Sequence, residues 1–348
     1  MIDQIYIEKA VLEHPRARAV MGRFPHATVT VCDRYGEIFN RKAQNFRLQK
    51  RKPALILAGK FANHVLPSPP EYAIGGAVNY YFSHMLNCIY DCRYCFLQGM
   101  YRSAHYVLFV NYEDFCQAII EKIQAAGAAS AHFFSGYDCD SLALDPVTDF
   151  VREFLPVFRR HPQALLELRT RSTQIRALLA QEPMPNCVVA FSFTPAEIAA
   201  AIEHKAPPVP KRLQALQRLQ EHGWPIGLRF DPLIYQDGAR QQYERLFGQV
   251  FDVVEPARLH SVSLGSFRLP KSFYRNLTRL YPDEVLFASP LEETADGMVA
   301  YRDSIRRELL SFCRDTLLNY VAEEKFFPCE AVITSNADTD HGVGVPTN

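Results

Sequence analysis

Six short apolar runs, separated for the most part by amphipathic stretches, occupy the middle of this 348-residue chain. Apolar runs that alternate with helical periodicity are typical of repeated βα units, whose strands lie parallel in one sheet or barrel. Strands are predicted at residues 77–82, 131–134, 165–169, 188–193, 225–230 and 261–264, and helices at 113–126, 146–160, 195–202 and 211–222. The predicted fold class is therefore α/β, with a parallel sheet or a partial barrel.

The two ends of the chain differ from this middle part. Residues 1–75 are predicted to form a small α/β extension with a strand at 27–32 and a basic segment at 41–60. Residues 76–334 hold the βα units and a largely helical C-terminal region near 301–324. Residues 335–348 are polar and contain glycine, and they are predicted to be a disordered tail.

Charge, hydropathy and cysteine content exclude several classes of protein. Lysine plus arginine equals aspartate plus glutamate, 38 of each, so the whole chain has no net attraction to nucleic acid. No apolar run approaches the ~20 residues of a membrane span, and the N-terminus lacks a signal-peptide pattern. We therefore expect a cytoplasmic protein with no membrane partner. Nine cysteines, an odd number, argue against a disulfide framework.

Three of the nine cysteines are closely spaced. Cys88, Cys92 and Cys95 form a C-x3-C-x2-C pattern directly after the first predicted strand. Three thiolates on one loop can ligate three irons of a [4Fe–4S] cluster. The fourth iron then stays open to the amino and carboxylate groups of S-adenosylmethionine (SAM). An electron passed from such a cluster breaks a C–S bond of SAM and yields a 5′-deoxyadenosyl radical.

Two other uses of these cysteines remain open from the residues alone. A structural zinc site needs four ligands, and His84 is the candidate for the fourth, although the loop between it and Cys88 is short. A thioredoxin-like redox pair of Cys92 and Cys95 would leave Cys88 without a role. The loop follows a predicted barrel strand at the end where barrel enzymes place their chemistry, which favours the cluster.

The cysteine loop, with an aromatic residue before its last cysteine, resembles that of the radical SAM superfamily. Three segments together resemble the spore photoproduct lyase family in order and spacing: CFLQ at 95–98, YDCDSLALD at 137–145 and PIGLRFDPLIY at 225–235. The resemblance implies a partial (β/α)6 barrel of TIM type. It also implies a carbon–carbon lyase that reverses the thymine dimer called spore photoproduct in DNA, with an external one-electron reductant such as flavodoxin or ferredoxin.

The resemblance also implies roles for single residues. Cys139 falls at the position of a hydrogen-atom donor, and Tyr94 falls at that of the aromatic residue beside the cluster; both are predicted to be catalytic. Arg171 stands where the family has a lysine that meets the SAM carboxylate, which a guanidinium can also bind. The predicted cofactor-binding residues are Ser141, Arg171, Ser192 and Tyr235.

Two parts of the chain depart from the family pattern. Phe96 stands where the lyase has a second tyrosine after the last cluster cysteine, and residues 300–307 lack the family's tyrosine-rich and basic stretch. A phenyl ring has no phenolic hydrogen to give up. Either Cys139 acts alone in the radical relay, or the substrate is different, for example a small molecule or a modified nucleotide. A zinc-binding nucleic-acid module is the third hypothesis.

Several polar residues are expected at the mouth of the barrel. Cys139 follows the second strand, so it faces the same mouth as the cluster loop, and Asp138 and Asp140 are expected to raise the pKa of its thiol. Arg229 and Asp231 lie at the end of the fifth strand and are therefore also expected to point into the mouth. Two interpretations of this pair remain open: contact with a ligand, or a buried ion pair that closes the barrel.

The basic segment at 41–60 is the candidate nucleic-acid surface, because Phe46 and Leu48 interleave with its cations and Phe39 precedes it. A plain solvated face is the alternative. A dimer in DNA would have to leave the base stack to reach a barrel mouth.

Overall fold

The computed structural model describes residues 2–69 and 72–329. The strands are, in chain order, β1 (Gln4–Glu8), β2 (Thr28–Cys32), β3 (Leu55–Ala58), β4 (Leu66–Pro67), β5 (Val78–Phe82), β6 (Met85–Leu86), β7 (Asp91–Cys92), β8 (Tyr106–Phe109), β9 (Ala131–Ser135), β10 (Ala164–Thr170), β11 (Cys187–Ser192), β12 (Glu203–His204), β13 (Ile226–Leu233), β14 (Leu259–Ser266), β15 (Arg268–Pro270), β16 (Leu291–Glu293), β17 (Met298–Tyr301) and β18 (Phe326–Pro328). The α-helices are α1 (Pro15–Gly22), α2 (Phe46–Arg51), α3 (Leu97–Met100), α4 (Tyr112–Ala126), α5 (Asp145–Thr148), α6 (Phe150–Arg160), α7 (Arg176–Leu179), α8 (Ala196–Ile202), α9 (Val209–His222), α10 (Ala239–Phe251), α11 (Lys271–Leu280) and α12 (Asp303–Leu318).

The main sheet has eight strands in the order β18-β14-β13-β11-β10-β9-β5-β4. The six predicted strands are its centre, β5, β9, β10, β11, β13 and β14, and each pairs in parallel with the next. β11 is buried along its whole length, as expected of a parallel strand covered on both faces. The predicted partial (β/α)6 barrel is confirmed. β18 adds a parallel strand beyond β14, and β4 adds an antiparallel one beyond β5.

A second sheet has the order β2-β1-β3-β8-β6. The predicted strand at 27–32 is β2, which lies parallel to β1 at the edge. β3 pairs with β8, and β8 pairs with β6, so the sheet of the N-terminal extension takes strands from beyond residue 76. The sheet thus crosses the proposed boundary at residue 75, and a division of the chain there remains a prediction. The predicted tail at 335–348 lies outside the described residues.

The helix predicted at 146–160 is two helices, α5 and α6. Asp149 separates them in a left-handed conformation, with φ 52°. The buried carboxylate of Asp145 accepts a hydrogen bond from the amide of Val151 at 2.8 Å, which stabilises the start of α6 in place of a continuous helix. Hydrophobic periodicity did not reveal this break, because α6 buries apolar residues and Val147 of α5 packs, partly buried, against the same core. Within the described residues, no helix has the length and apolar character needed to cross a bilayer.

The aromatic residues of the basic segment face the interior. Phe39 and Phe46 are both 4% exposed, so neither ring is available to stack on a base, and this part of the prediction is wrong. Lys60 lies over the rings of Phe109 and Phe115 at 5.5 and 5.6 Å. Leu48 is exposed. Packing of the extension against β8 and the first βα loops decided these orientations.

Candidate active site

One large cavity opens at the C-terminal ends of the barrel strands. Its empty volume is about 1200 Å³, including the part open to solvent. β9, β10, β11, β13 and β14 each contribute a residue at or near their C-terminal ends, and the cysteine loop forms another part of the wall. These strand-end residues include Ser135, Thr170, Ser192, Asp231 and Ser266. Parallel strands bring their carboxyl ends to one edge, which is why residues far apart in sequence meet here.

The three cysteines of the triplet line this cavity together. Burial raises the pKa of all three thiols, that of Cys88 to about 12. A metal centre that binds such thiols displaces their protons. Within the described part of the chain, no group of three or more Cys, His, Asp or Glu side chains converges on a single ion. Three thiols beside an open cavity fit a larger cluster with one iron left for a ligand.

His84 does not complete a four-ligand site. Its ring stacks on Phe150 with centroids 3.9 Å apart and an interplanar angle of 12°. Burial lowers the pKa of His84 to about 3, so the ring is neutral and belongs to the aromatic core. The zinc alternative of the sequence thus loses its proposed fourth ligand.

Backbone contacts hold the cysteine loop in place. β7, which contains Cys92, pairs antiparallel with β12, so that Glu203 lies opposite Cys92. The amide of Arg93 donates to the carbonyl of Ile202 at 2.8 Å. The loop is therefore fixed by the segment that follows α8, a contact between residues more than a hundred positions apart.

Glu203 is a buried carboxylate behind the loop that the sequence did not single out. It accepts hydrogen bonds from the Tyr94 hydroxyl, from Thr194 at 2.7 Å and from Arg212. Arg171 Nε lies 3.4 Å from the same carboxylate. Burial acts to raise the pKa of Glu203, but Arg212 and Arg171 hold it below its usual value. Glu203 thus orients both Tyr94 and Arg171 toward the cavity.

The predicted cofactor-binding residues divide into two groups. Arg171 and Ser192 line the cavity, and Arg171 lies 5.4 Å from the centre of the Tyr94 ring. Ser141 lies behind the wall, where its hydroxyl is hydrogen-bonded to that of Ser135 at 2.8 Å. Tyr235 borders a separate cavity next to α10, so the structure does not bring it to the site. Tyr235 lies two residues beyond β13, and that position in the sequence does not indicate which cavity its side chain borders.

Cys139 lines the same cavity as the cysteine triplet and is 8% exposed. Burial, then the neighbouring Cys88, Asp138 and Asp140, raise the pKa of its thiol well above the usual value. The predicted direction is therefore the one found, although burial contributes more than the two aspartates. A thiol that keeps its hydrogen is suited to hydrogen-atom donation.

The turn that carries Cys139 has a fixed shape. Gly136 has φ 77°, and a Cβ added there would lie 2.5 Å from the Ser141 hydroxyl, so only glycine fits. Asp140 accepts hydrogen bonds from the amides of Leu142, Ala143 and Arg171 at 2.7–3.0 Å. Asp140 therefore joins the turn after β9 to the end of β10.

Arg229 forms a buried ion pair and does not line the cavity. Its guanidinium donates to Glu167 at 2.6 and 3.2 Å, and Glu167 also accepts from Arg169 at 2.9 Å. This decides between the two interpretations for Arg229: it closes the barrel floor. Its predicted partner Asp231 instead faces the cavity, 3.2 Å from Arg268.

A family model described as "Spore photoproduct lyase" matches residues 1–289. The chain belongs to the spore photoproduct lyase family. Curated relatives of the same description, from Bacillus subtilis (strain 168) and Geobacillus sp. (strain Y412MC61), are each 22% identical to this family member. The alignments cover 80% of this chain and 82% of the first relative, and 94% and 96% for the second.

Solved structures of spore photoproduct lyase share the fold of this family member. A double mutant with bound SAM and dinucleoside spore photoproduct superposes with a TM-score of 0.83 at 16% identity, over 95% of this chain and 98% of that one. A complex with dinucleoside spore photoproduct gives 0.80 at 16% identity, with the same coverage. The match of the family model confirms the family predicted from the cysteine loop and the two later segments, and with it the class: a radical SAM lyase with a [4Fe–4S] cluster.

Phe96, the departure from the family pattern, lines the cavity. Its ring centre lies 5.6 Å from that of Tyr137, which in turn is 4.4 Å from Tyr81. The cavity wall at this point is thus aromatic, with phenols next to the phenyl ring.

Proposed function

We propose that this chain is a radical SAM lyase that reverses spore photoproduct in DNA, with Cys139 as the hydrogen-atom donor. The observation that carries the proposal is that one cavity joins the three thiols of the cysteine triplet with Cys139, Arg171 and Ser192. The related lyase structures bind SAM and the dinucleoside form of this lesion. The cavity, whose empty volume of about 1200 Å³ includes the part open to solvent, offers such ligands one shared site next to the cysteine triplet.

In this proposal Cys88, Cys92 and Cys95 hold the [4Fe–4S] cluster, which supplies the electron that breaks SAM into methionine and a 5′-deoxyadenosyl radical. The chain's own residues would bind and orient SAM and the substrate, and they would exclude water from the cavity. Arg171, held by Glu203, offers a guanidinium to the SAM carboxylate, and Ser192 offers a hydroxyl from the end of β11. The rings of Tyr90, Tyr94 and Phe96 in the cavity wall help to keep water from the reacting atoms.

Cys139 would donate its thiol hydrogen to the carbon radical left on the substrate once the dimer bond has broken. An S–H bond is weaker than the C–H bond formed, so the transfer is favourable. We expect Cys139→Ala to retain SAM cleavage while the yield of repaired thymine falls at least tenfold and other adducts appear, as read by mass spectrometry. Cys116→Ala, on α4 and outside the cavity wall, is the control and should behave as wild type. Loss of SAM cleavage in a folded Cys139→Ala protein would contradict this role.

Phe96 supports a second candidate, in which the same radical chemistry acts on a small molecule or a modified nucleotide. The phenyl ring lines the cavity where the family has a tyrosine, so a relay through that position is not available. The experiment incubates reduced, reconstituted protein with SAM and an oligonucleotide that contains spore photoproduct. Formation of 5′-deoxyadenosine together with repaired thymines supports repair; formation of 5′-deoxyadenosine alone supports the second candidate.

The proposed partners follow from this chemistry. The chain would receive single electrons from a cytoplasmic protein such as flavodoxin or ferredoxin. The lesion would leave the base stack to enter the cavity, because a barrel mouth cannot enter a duplex.

A further inference from the structure

Lys50, in the last turn of α2, points into the protein. It is 6% exposed, and its ammonium donates hydrogen bonds to the carbonyl oxygens of Cys88 at 3.1 Å and Tyr90 at 3.3 Å. Both acceptors belong to the loop that carries the cysteine triplet. A residue of the predicted basic segment therefore contacts the proposed cluster loop directly, instead of a nucleic acid.

The charge of Lys50 is balanced differently from that of the other cations around this loop. Arg93 pairs with Asp91 at 2.9 Å, and Arg171 pairs with Glu203 at 3.4 Å. Lys50 forms no ion pair with a carboxylate in the described part of the chain. Its Nζ atom lies 5.9 Å from the centre of the Phe46 ring. A buried cation is costly without an opposite charge, and the group that faces it is the cysteine loop.

The backbone of Lys50 is fixed from the other side of the loop. Lys205, directly after β12, donates to the carbonyl of Lys50 at 2.8 Å. Because β12 pairs with β7, the same short segment contacts both Cys92 and the end of α2. Lys50 is therefore held in a defined position relative to all three cysteines.

We propose that Lys50 is a positioning residue that holds the cluster loop and offsets the negative charge of the thiolate-bound cluster, which makes reduction of the cluster easier. The inference rests on the proposed function, because it requires the cluster. Net charge and hydrogen bonds around an iron–sulfur cluster set its reduction potential. Reduction adds a negative charge, so a fixed cation nearby stabilises the reduced form more than the oxidised form.

Three variants separate the contact from the charge. Lys50→Arg keeps both, Lys50→Gln keeps a donor without charge, and Lys50→Met keeps neither. Lys52→Met is the matched control, because the Lys52 side chain is 86% exposed. Each protein is reconstituted without oxygen, its fold is checked by circular dichroism, iron and sulfide are counted per chain, and the midpoint potential is measured by a redox titration followed by electron paramagnetic resonance.

We expect Lys50→Gln to load a cluster whose reduction is on the order of tenfold less favourable, about 59 mV more negative for one electron. Lys50→Met is expected to show the same shift and to bind less iron. Lys50→Arg and Lys52→Met should stay within about threefold of wild type, or roughly 30 mV on the same scale.

Wild-type potential in both neutral variants would overturn the proposal, as would an equal shift in Lys50→Arg. Unfolding of both neutral variants beside a folded Lys50→Arg would also overturn it, because Lys50 would then serve the fold.

The wild-type protein separates this inference from the proposed function. A wild-type chain that loads no iron–sulfur cluster would overturn the proposed function and this inference with it. A wild-type chain that loads the cluster and cleaves SAM, with neutral variants of unchanged potential and iron content, would overturn only the role of Lys50.

Discussion

Cys92→Ala is expected to abolish cluster binding and SAM cleavage. Cys92 is the most deeply buried thiol of the triplet, and its backbone pairs with Glu203, so no nearby thiol can replace it without movement of β7. With two thiolates left, the iron content should fall to the level of non-specific binding. The formation of 5′-deoxyadenosine should fall to background in an anaerobic assay with dithionite and SAM, followed by liquid chromatography.

The matched control for this prediction is Cys187→Ala. Cys187 is fully buried in β11 and does not line the cavity, so its loss should leave the iron content unchanged. A Cys92→Ala protein with a full cluster and SAM cleavage would remove the basis of the proposed function.

Glu167→Gln is expected to lower the free energy of unfolding by about 3–5 kcal/mol, because it leaves the buried guanidinium of Arg229 and the partly buried one of Arg169 without their carboxylate. Glu167 is fully buried in β10, where it pairs with Arg229 and Arg169. Although burial acts against it, these two arginines lower the pKa of Glu167 to about 2, from an ordinary value of 4.5. Denaturation by urea, followed by circular dichroism, measures the effect.

The pH dependence of this contribution has a defined sign. Because the pKa of Glu167 is lower in the folded protein, its stabilisation is complete above about pH 4.5 and is lost as the pH falls toward 2. The Glu167→Gln protein should lose less stability than wild type over that interval.

Glu197→Gln is the control for this ion pair. Glu197 pairs with Arg245 at 2.7 Å, but the two side chains are 54% and 57% exposed. An exposed pair contributes about 0–1 kcal/mol. If Glu167→Gln destabilised the protein no more than Glu197→Gln, the buried network would not be what holds the barrel floor together.

Local patterns predicted the barrel well. The runs at 188–193 and 225–230 are apolar except for Ser192 and Arg229, as is typical of central parallel strands, and they are β11 and the first part of β13. The cysteine spacing predicted the cluster loop, and the position of Cys139 after β9 predicted that it lies at the mouth of the barrel. These features depend on residues close together in sequence, so a linear pattern contains them.

Residues that act through distant partners were missed or misplaced. Glu203 and Lys50 have no local signal, since one follows an ordinary helix and the other lies in a basic run that looks solvated. Ser141 and Tyr235 were expected at the cofactor, yet Ser141 lies behind the wall and Tyr235 borders another cavity. A single residue's direction in a loop depends on what packs against that loop.

The sequence by itself determined the parallel βα order, the three cysteines of the cluster loop and the family, because periodicity and close spacing are local properties of a chain. Only the tertiary structure decided which charges meet: Arg229 with Glu167 below the cavity, Glu203 with Arg171 behind it, and Lys50 on the cluster loop. Burial sets the energy of a charge, and burial depends on the packing of segments that are far apart in the chain.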